Sequence, residues 1–537
     1  MRTVMAYAQF DRIWDRFLPE TPYGRAAKEA MALCTDAAAL SRLWDDTDAA
    51  LDLLRRLDAD PVRLSKLQHH LKRIPRVCEE VRLRYDEVEL FQFKKFLHNY
   101  KGLSGLLEAG ERSRFGLAYE SDELEASLDQ GRQSAESFYV ADAYSPELAQ
   151  VRQEIREADA ALQALQALRA AEIKARWGFE FGARAFLLVS RDALGPLEAA
   201  RDLLRVEPYD ETKYAVRVET SAEVFHLQER RSALLARERL AEDAVLEQLS
   251  AALRDELHRV ERYREALTRF DLAFARARLA RELRLVRPAL SSGPITLRGA
   301  RFLPCEETCR SLGTDYVPLD ARFEAPASVI FGSNMGGKTM VLKTLAFLQL
   351  CVQMGLHAPA EGFSTVLFHH FHFLGEGQAS QAPGGLSGFG FEIRAFVEAA
   401  RDFDRPTLIL FDEFARTTHS LEAEAILSAV LEHTASRPGV VALFSTHFRG
   451  VRRLPGVAYL RMKGLDREGL DLDLAAGETL ETRIRLIDQR MDYHLVPDEG
   501  GPGASDAIVV AGLLGLDAAI TRRAAEFLHI DPRAIQE

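Results

Sequence analysis

Between Tyr209 and Arg287 the chain carries neither proline nor glycine. Within that stretch Leu246, Leu249, Leu253, Leu257, Val260, Tyr263, Leu267, Phe270 and Phe274 recur at steps of three and four. No helix breaker and one apolar stripe leave a single simple solution, a long helix. From about Ser221 to Arg287 it would run roughly 100 Å at about 1.5 Å per residue, with a break expected along it. Few compact domains need such a rod, so it reads as a lever or spacer. From Tyr7 to about Ala175 the pattern is also mostly helical, with Leu148, Val151, Ile155, Leu162 and Leu165 near helical spacing. Between Gly178 and Val218 the runs RAFLLVSRD and KYAVRVET are β-prone, which predicts a small insert carrying strands.

Pro288 and the SSGP of Ser291–Pro294 mark a boundary. Beyond it SVIF, TVLFHHFHF, TLILF and VVALF alternate with helical stretches, as in a mostly parallel sheet with helices on its faces. The first of these strands runs into Gly332, Ser333, Asn334, Met335, Gly336, Gly337, Lys338 and Thr339, a G-x-x-x-x-G-K-T turn that opens a helix. Glycines let backbone N–H groups form an anion-binding nest, and the helix adds its positive end. Lys338 is expected to reach the β- and γ-phosphates of a nucleotide, and the Thr339 hydroxyl to ligate Mg²⁺. Such a turn demands a carboxylate from a neighbouring strand. TLILFDE supplies it: Asp412 would hold Mg²⁺, through water, and Glu413 would polarise the attacking water as general base. His447, ending VVALFSTH, could hydrogen-bond the γ-phosphate or that water.

Composition narrows the rest. The formal net charge of -12 does not favour a general nucleic-acid binder, although a local basic patch would suffice for one. Five cysteines are few and odd in number, which suits unpaired thiols in a reducing cytosol, and the spacing of Cys305 and Cys309 has no second pair to complete a metal site. No signal segment opens the chain, and no apolar run is long enough for a membrane span. The three histidines of FHHFHF invite a metal reading. On a strand His370 and His372 share a face and His369 points away, no further ligand is evident, and they read as structural.

Taken together the motifs resemble those of the MutS family of ABC-type ATPases. GSNMGGKT is similar to that family's GPNMGGKS, with Ser333 replacing proline, and GLHAPAE to its continuation. LILFDEFARTTHS resembles its Walker B and D-loop, LLDEIGRGTS, and STHF its ATHY switch. LSGFGFEI resembles its signature loop STFMxEM, aligning Ser387, Phe389 and Glu392, and DYVPLD the segment whose aromatic residue packs on adenine, here Tyr316. FDLAFARARLARELRLVRPAL, SFYVADAYSPELAQVRQEI and GLLGLDAAITRRAAEFL are similar to the family's lever, lever-entry and C-terminal helices.

The resemblance implies an α/β P-loop ATPase domain beside a mainly α-helical core and lever region with a small α+β clamp-like insert. The expected division is 1–176 helical core and first lever arm, 177–224 insert, 225–290 long helix, 291–485 ATPase domain and 486–537 helical tail. It implies ATP and Mg²⁺ as ligands and a cytoplasmic homodimer in which Ser387 of one subunit faces the nucleotide of the other. Binding and hydrolysis would then drive lever and clamp movement. The chain reaches its helical core almost at once, as the shorter second MutS branch does. It is thus expected to lack the mismatch-reading domain, and that branch's nuclease tail as well. Two partners follow. One is DNA, in a role related to mismatch repair. The other is an adenosylcobalamin-dependent lysine 5,6-aminomutase that the ATPase would reactivate, suggested by RLIDQRMDYHLVP. The insert bears on the choice: residues 177–224 hold six Lys/Arg against nine Asp/Glu, a poor surface for gripping phosphates.

Overall fold

The computed structural model describes residues 2–131, 134, 137–178, 186–195, 203–332, 336–375, 388–466, 479–500 and 506–527. It divides the chain into two compact units. One comprises Met1–Glu20, Gly24–Leu64 and Thr268–Glu537, the other Thr21–Tyr23 and Ser65–Leu267.

The second unit is mainly helical. Glu87–Gly105 starts on a reciprocal cap between Asp86 and Glu89. Pro146–Trp177 starts where Ser145 Oγ accepts the Leu148 N–H and stops at the left-handed Gly178. The proline- and glycine-free stretch forms one helix, Ala222–Leu283, whose residues through Leu267 belong to this unit. The expected break is absent. Leu253, Val260, Tyr263 and Leu267 on its stripe are buried, and the stretch holds no proline or glycine to open the hydrogen-bond ladder. Arg152 pairs with Glu238 at 2.7 Å and Glu242 at 2.5 Å, and Arg231 with Asp159 at 2.5 Å, which laces the helix to Pro146–Trp177. The insert carries strands β1 (Leu187–Ser190), β2 (Leu204–Pro208) and β3 (Lys213–Val218) in an antiparallel sheet of order β1-β3-β2. Val189, Leu203, Leu204 and Val216 pack there with Ile173.

The first unit holds two sheets. Strands β4 (Ala289–Leu290), β5 (Ile295–Ala300), β6 (Leu319–Phe323) and β8 (Gly362–Thr365) form one, in the order β4-β8-β5-β6. Strands β7 (Ala327–Phe331), β9 (His370–Leu374), β10 (Thr407–Phe411), β11 (Val440–Thr446), β12 (Val457–Leu465) and β13 (Met491–Pro497) form the other, in the order β13-β12-β7-β11-β10-β9. All of its pairings are parallel except β12 with β13. Strand β13 lies in the segment expected to be a helical tail, ahead of the helix pair Asp506–Leu513 and Ala518–Phe527.

TVLFHHFHF is also split between two sheets. The cause lies on the helix Lys338–Gln353, which packs on the sheet. Gln349 Nε2 donates to Val366 O at 2.9 Å, Gln353 Nε2 to Phe368 O at 2.8 Å, and Phe368 N–H to Gln353 Oε1 at 3.1 Å. Two buried glutamines thus take the backbone groups that a continuous strand would spend on a neighbour. His370 and His372 lie on the edge strand β9, and both face Asp402, at 3.4 Å and 2.8 Å. Among the described residues no cluster of three or more His, Cys, Asp or Glu could hold a metal, all five cysteines are free, and no helix is long and apolar enough to cross a membrane.

Candidate active site

Strand β7 is buried along its whole length because it pairs on both sides. It delivers the chain to Gly332 at the sheet's carboxyl end. A Cβ on Gly332 would come within 3.3 Å of Met462, and Gly337 has φ +88° with the Tyr493 ring 3.1 Å from where a Cβ would stand. Side chains at these two positions would therefore push against the wall or strain the backbone. Ser333, Asn334 and Met335 lie outside the described residues, as does Ser387.

Lys338 opens the helix, almost fully buried, and its Nζ donates to Gly332 O at 2.7 Å while standing 3.9 Å from Glu413. Burial lowers its pKa; the charges of Glu413 and Asp412 oppose that, and Arg449 adds to it. Thr339 Oγ1 donates to Asp412 Oδ2 at 2.6 Å. Asp412 lies just past β10, where its N–H is held by Leu374 O at 2.9 Å. The carboxylate comes not from the strand next to β7 but from the next but one, since β11 lies between β7 and β10. That order brings Ser445 of β11 to the centre of the site. Its hydroxyl donates to Asp412 Oδ1 and accepts the Glu413 N–H at 2.9 Å.

Glu413 and Ala415 have φ of +52° and +65°. Left-handed backbone at residues other than glycine costs on the order of 1–3 kcal/mol each and persists only where neighbours hold it. Ser445 holds Glu413 by its N–H. Buried Glu392, from the helix Gly388–Ala400, holds Ala415 by accepting its N–H at 2.7 Å. Burial raises the Glu392 pKa, a shift that the Ala415 N–H and Arg416 oppose. The Glu413 carboxylate faces Lys338 on one side and accepts from Arg416 Nη1 at 2.9 Å on the other.

Of the remaining expected residues, Gly336 is buried in the turn. His447 follows β11, exposed, with its ring 4.3 Å from that of Phe448. Tyr316 is half-buried on the approach to β6, and its hydroxyl accepts the Phe302 N–H at 2.7 Å. Burial pushes its pKa up to about 12. The structure thus brings Gly332, Gly337, Lys338, Thr339, Asp412 and Glu413 together. It adds Ser445 and Tyr493, for which the sequence offers no signal beyond position on a strand, and Arg416 in the turn after β10.

The donor set suits a hard cation. A threonine hydroxyl and a carboxylate sharing one hydrogen bond are the oxygen ligands that Mg²⁺ takes when substrate phosphates complete its shell. The buried ammonium beside a glycine turn at a helix start suits a polyphosphate.

Residues 328–527 match the family model MutS domain V. The chain is similar to proteins named Endonuclease MutS2. That of Shouchella clausii (strain KSM-K16) is 32% identical over 308 residues, 56% of this chain and 35% of the relative. That of Thermomicrobium roseum (strain ATCC 27502 / DSM 5159 / P-2) is 31% identical over 318 residues, 57% and 37% respectively. The match thus spans about a third of the length of these relatives. Through the part that carries this site, residues 328–527, the chain matches the MutS family's domain V.

Proposed function

We propose that the protein binds ATP with Mg²⁺ and hydrolyses it in a composite site of two copies, converting the cycle into movement of its long helices, in a DNA-linked role. One observation carries the reading: the glycine-turn threonine and a carboxylate 73 residues away in sequence share a 2.6 Å hydrogen bond beside a buried lysine.

In this reading Lys338 leaves Gly332 O for the β- and γ-phosphates. Thr339 and Asp412 would hold Mg²⁺, whose chemistry is to offset charge on the phosphates. Glu413, released from Arg416, takes a proton from water as the water oxygen bonds to the γ-phosphorus. The bond from that phosphorus to the β-phosphate oxygen breaks, and ADP and phosphate leave. His447 would contact the γ-phosphate side, the Tyr316 ring would support adenine, and Ser387 would complete the partner copy's site. The relatives' shared name supports a nucleic-acid role over aminomutase reactivation, while the acidic insert argues against that insert as the gripping surface.

Purified protein should hydrolyse ATP with Mg²⁺, and Lys338→Ala and Glu413→Gln should each abolish turnover. Unchanged turnover in both variants would remove the site assignment. Duplex or branched DNA should bind with a salt-dependent affinity and stimulate turnover. An ATPase indifferent to DNA and stimulated by an aminomutase would reverse the choice of partner.

A further inference from the structure

Tyr7, on the short helix Arg2–Tyr7, is buried at 7% exposure, and its hydroxyl has no hydrogen-bond partner among the described residues. A buried hydroxyl left unpaired is costly, so its retention asks for a reason. Its surroundings supply one. The ring lies 5.1 Å from that of Phe373 on β9 and beside Gly375, where a Cβ would come within 2.8 Å of it. Between these two residues stands Leu374, whose carbonyl holds the Asp412 N–H. Lys343, one turn along the helix from Thr339, sets its ammonium 5.9 Å from the centre of the ring.

We propose that Tyr7 is a positioning residue of the cation site, its hydroxyl donating a hydrogen bond into the polar shell beside Asp412 once nucleotide and Mg²⁺ are bound. A phenol ordinarily titrates at about pH 10, so at neutral pH the group is a donor. Seating of the Arg2–Tyr7 helix and binding of Mg²⁺ then support each other. The inference rests on the ATP and Mg²⁺ reading above.

The test is Tyr7→Phe in the full chain, with a fluorescent ATP analogue titrated with Mg²⁺ and a thermal melt run without nucleotide. Affinity in the presence of EDTA should not change. The Mg²⁺ concentration for half-maximal binding should rise about three- to tenfold, the worth of one hydrogen bond. The ligand-free midpoint should stay level or rise, since the variant removes an unpaired group. Superimposable Mg²⁺ curves would overturn the proposal, as would a lowered ligand-free midpoint, which would mean the hydroxyl is already satisfied. If the unaltered protein shows no Mg²⁺-dependent nucleotide binding, the ATP reading fails and this inference with it. If it does bind and the variant matches it, only the role of Tyr7 fails.

Discussion

Ser445 joins the two halves of the acidic pair, donating to Asp412 and accepting from the Glu413 backbone. Ser445→Ala removes both bonds at once. Asp412 loses a hydrogen bond that orients it, and the left-handed Glu413 loses a restraint on its backbone. Partners that orient metal ligands are typically worth 10- to 100-fold, so the variant should lower kcat by about that factor, with nucleotide binding in the absence of Mg²⁺ little changed. Steady-state kinetics beside equilibrium binding checks it. That Lys338, Thr339, Asp412 and Glu413 lie together was legible in the sequence, because a glycine turn opening a helix and an acidic pair ending a strand both fall at the carboxyl end of a parallel sheet. Ser445 was not, because a serine inside VVALFST is an ordinary strand residue until strand order puts it beside Asp412. The positive φ of Glu413 and Ala415 was equally hidden, since neither residue type signals it.

At the scale of elements, the helix Lys338–Gln353 begins at the site and ends on buried polar bonds. Gln353 donates to Cys34 O at 3.1 Å and Phe368 O and accepts the Phe368 N–H. Gln353→Leu would leave the Phe368 N–H and C=O buried without partners. At about 1 kcal/mol or more for each, the helix should lose roughly 2–4 kcal/mol of its hold on the 365–368 segment. Hydrogen exchange should show the Phe368 amide losing protection by two orders of magnitude or more. Hydrophobic pattern made most elements readable, including the long helix and the parallel strands. It failed where side chains took over backbone pairing, since TVLFHHFHF alternates like one strand and only Gln349 and Gln353 divide it. The break expected in Ala222–Leu283 rests on length alone. The apolar stripe and the lack of proline and glycine outweigh length, and the helix is continuous.

For the molecule as a whole, acid should loosen the first unit. His357, after the helix Lys338–Gln353, is 2% exposed, and neither ring nitrogen is hydrogen-bonded among the described residues. Its Nε2 lies 3.3 Å from Asp48, too poorly aligned to count as a bond. Burial lowers its pKa to about 4; Asp48 opposes this, and Arg287 and Arg276 reinforce it. An unfolded histidine takes up its proton near pH 6.5, so between there and about pH 4 the unfolded chain binds a proton that the folded one refuses. Stability should therefore fall as pH drops through that window, by roughly 3 kcal/mol in all, and His357→Leu should flatten that part of a melting-versus-pH profile. Proline, glycine and periodicity give no sign that residues 1–20 and 24–64 belong to one unit with 268–537. The charges around buried His357 are hidden in the sequence as well, because Asp48, Arg276 and His357 lie far apart in it. The most direct test of the central claim is a crystal structure with Mg²⁺ and a non-hydrolysable ATP analogue. The account expects phosphate oxygens within hydrogen-bonding distance of Lys338 Nζ and the amides around Gly336 and Gly337, and a cation about 2.1 Å from Thr339 Oγ1 with Asp412 beside it. A triphosphate bound elsewhere, or Asp412 and Glu413 turned away from it, would contradict the account.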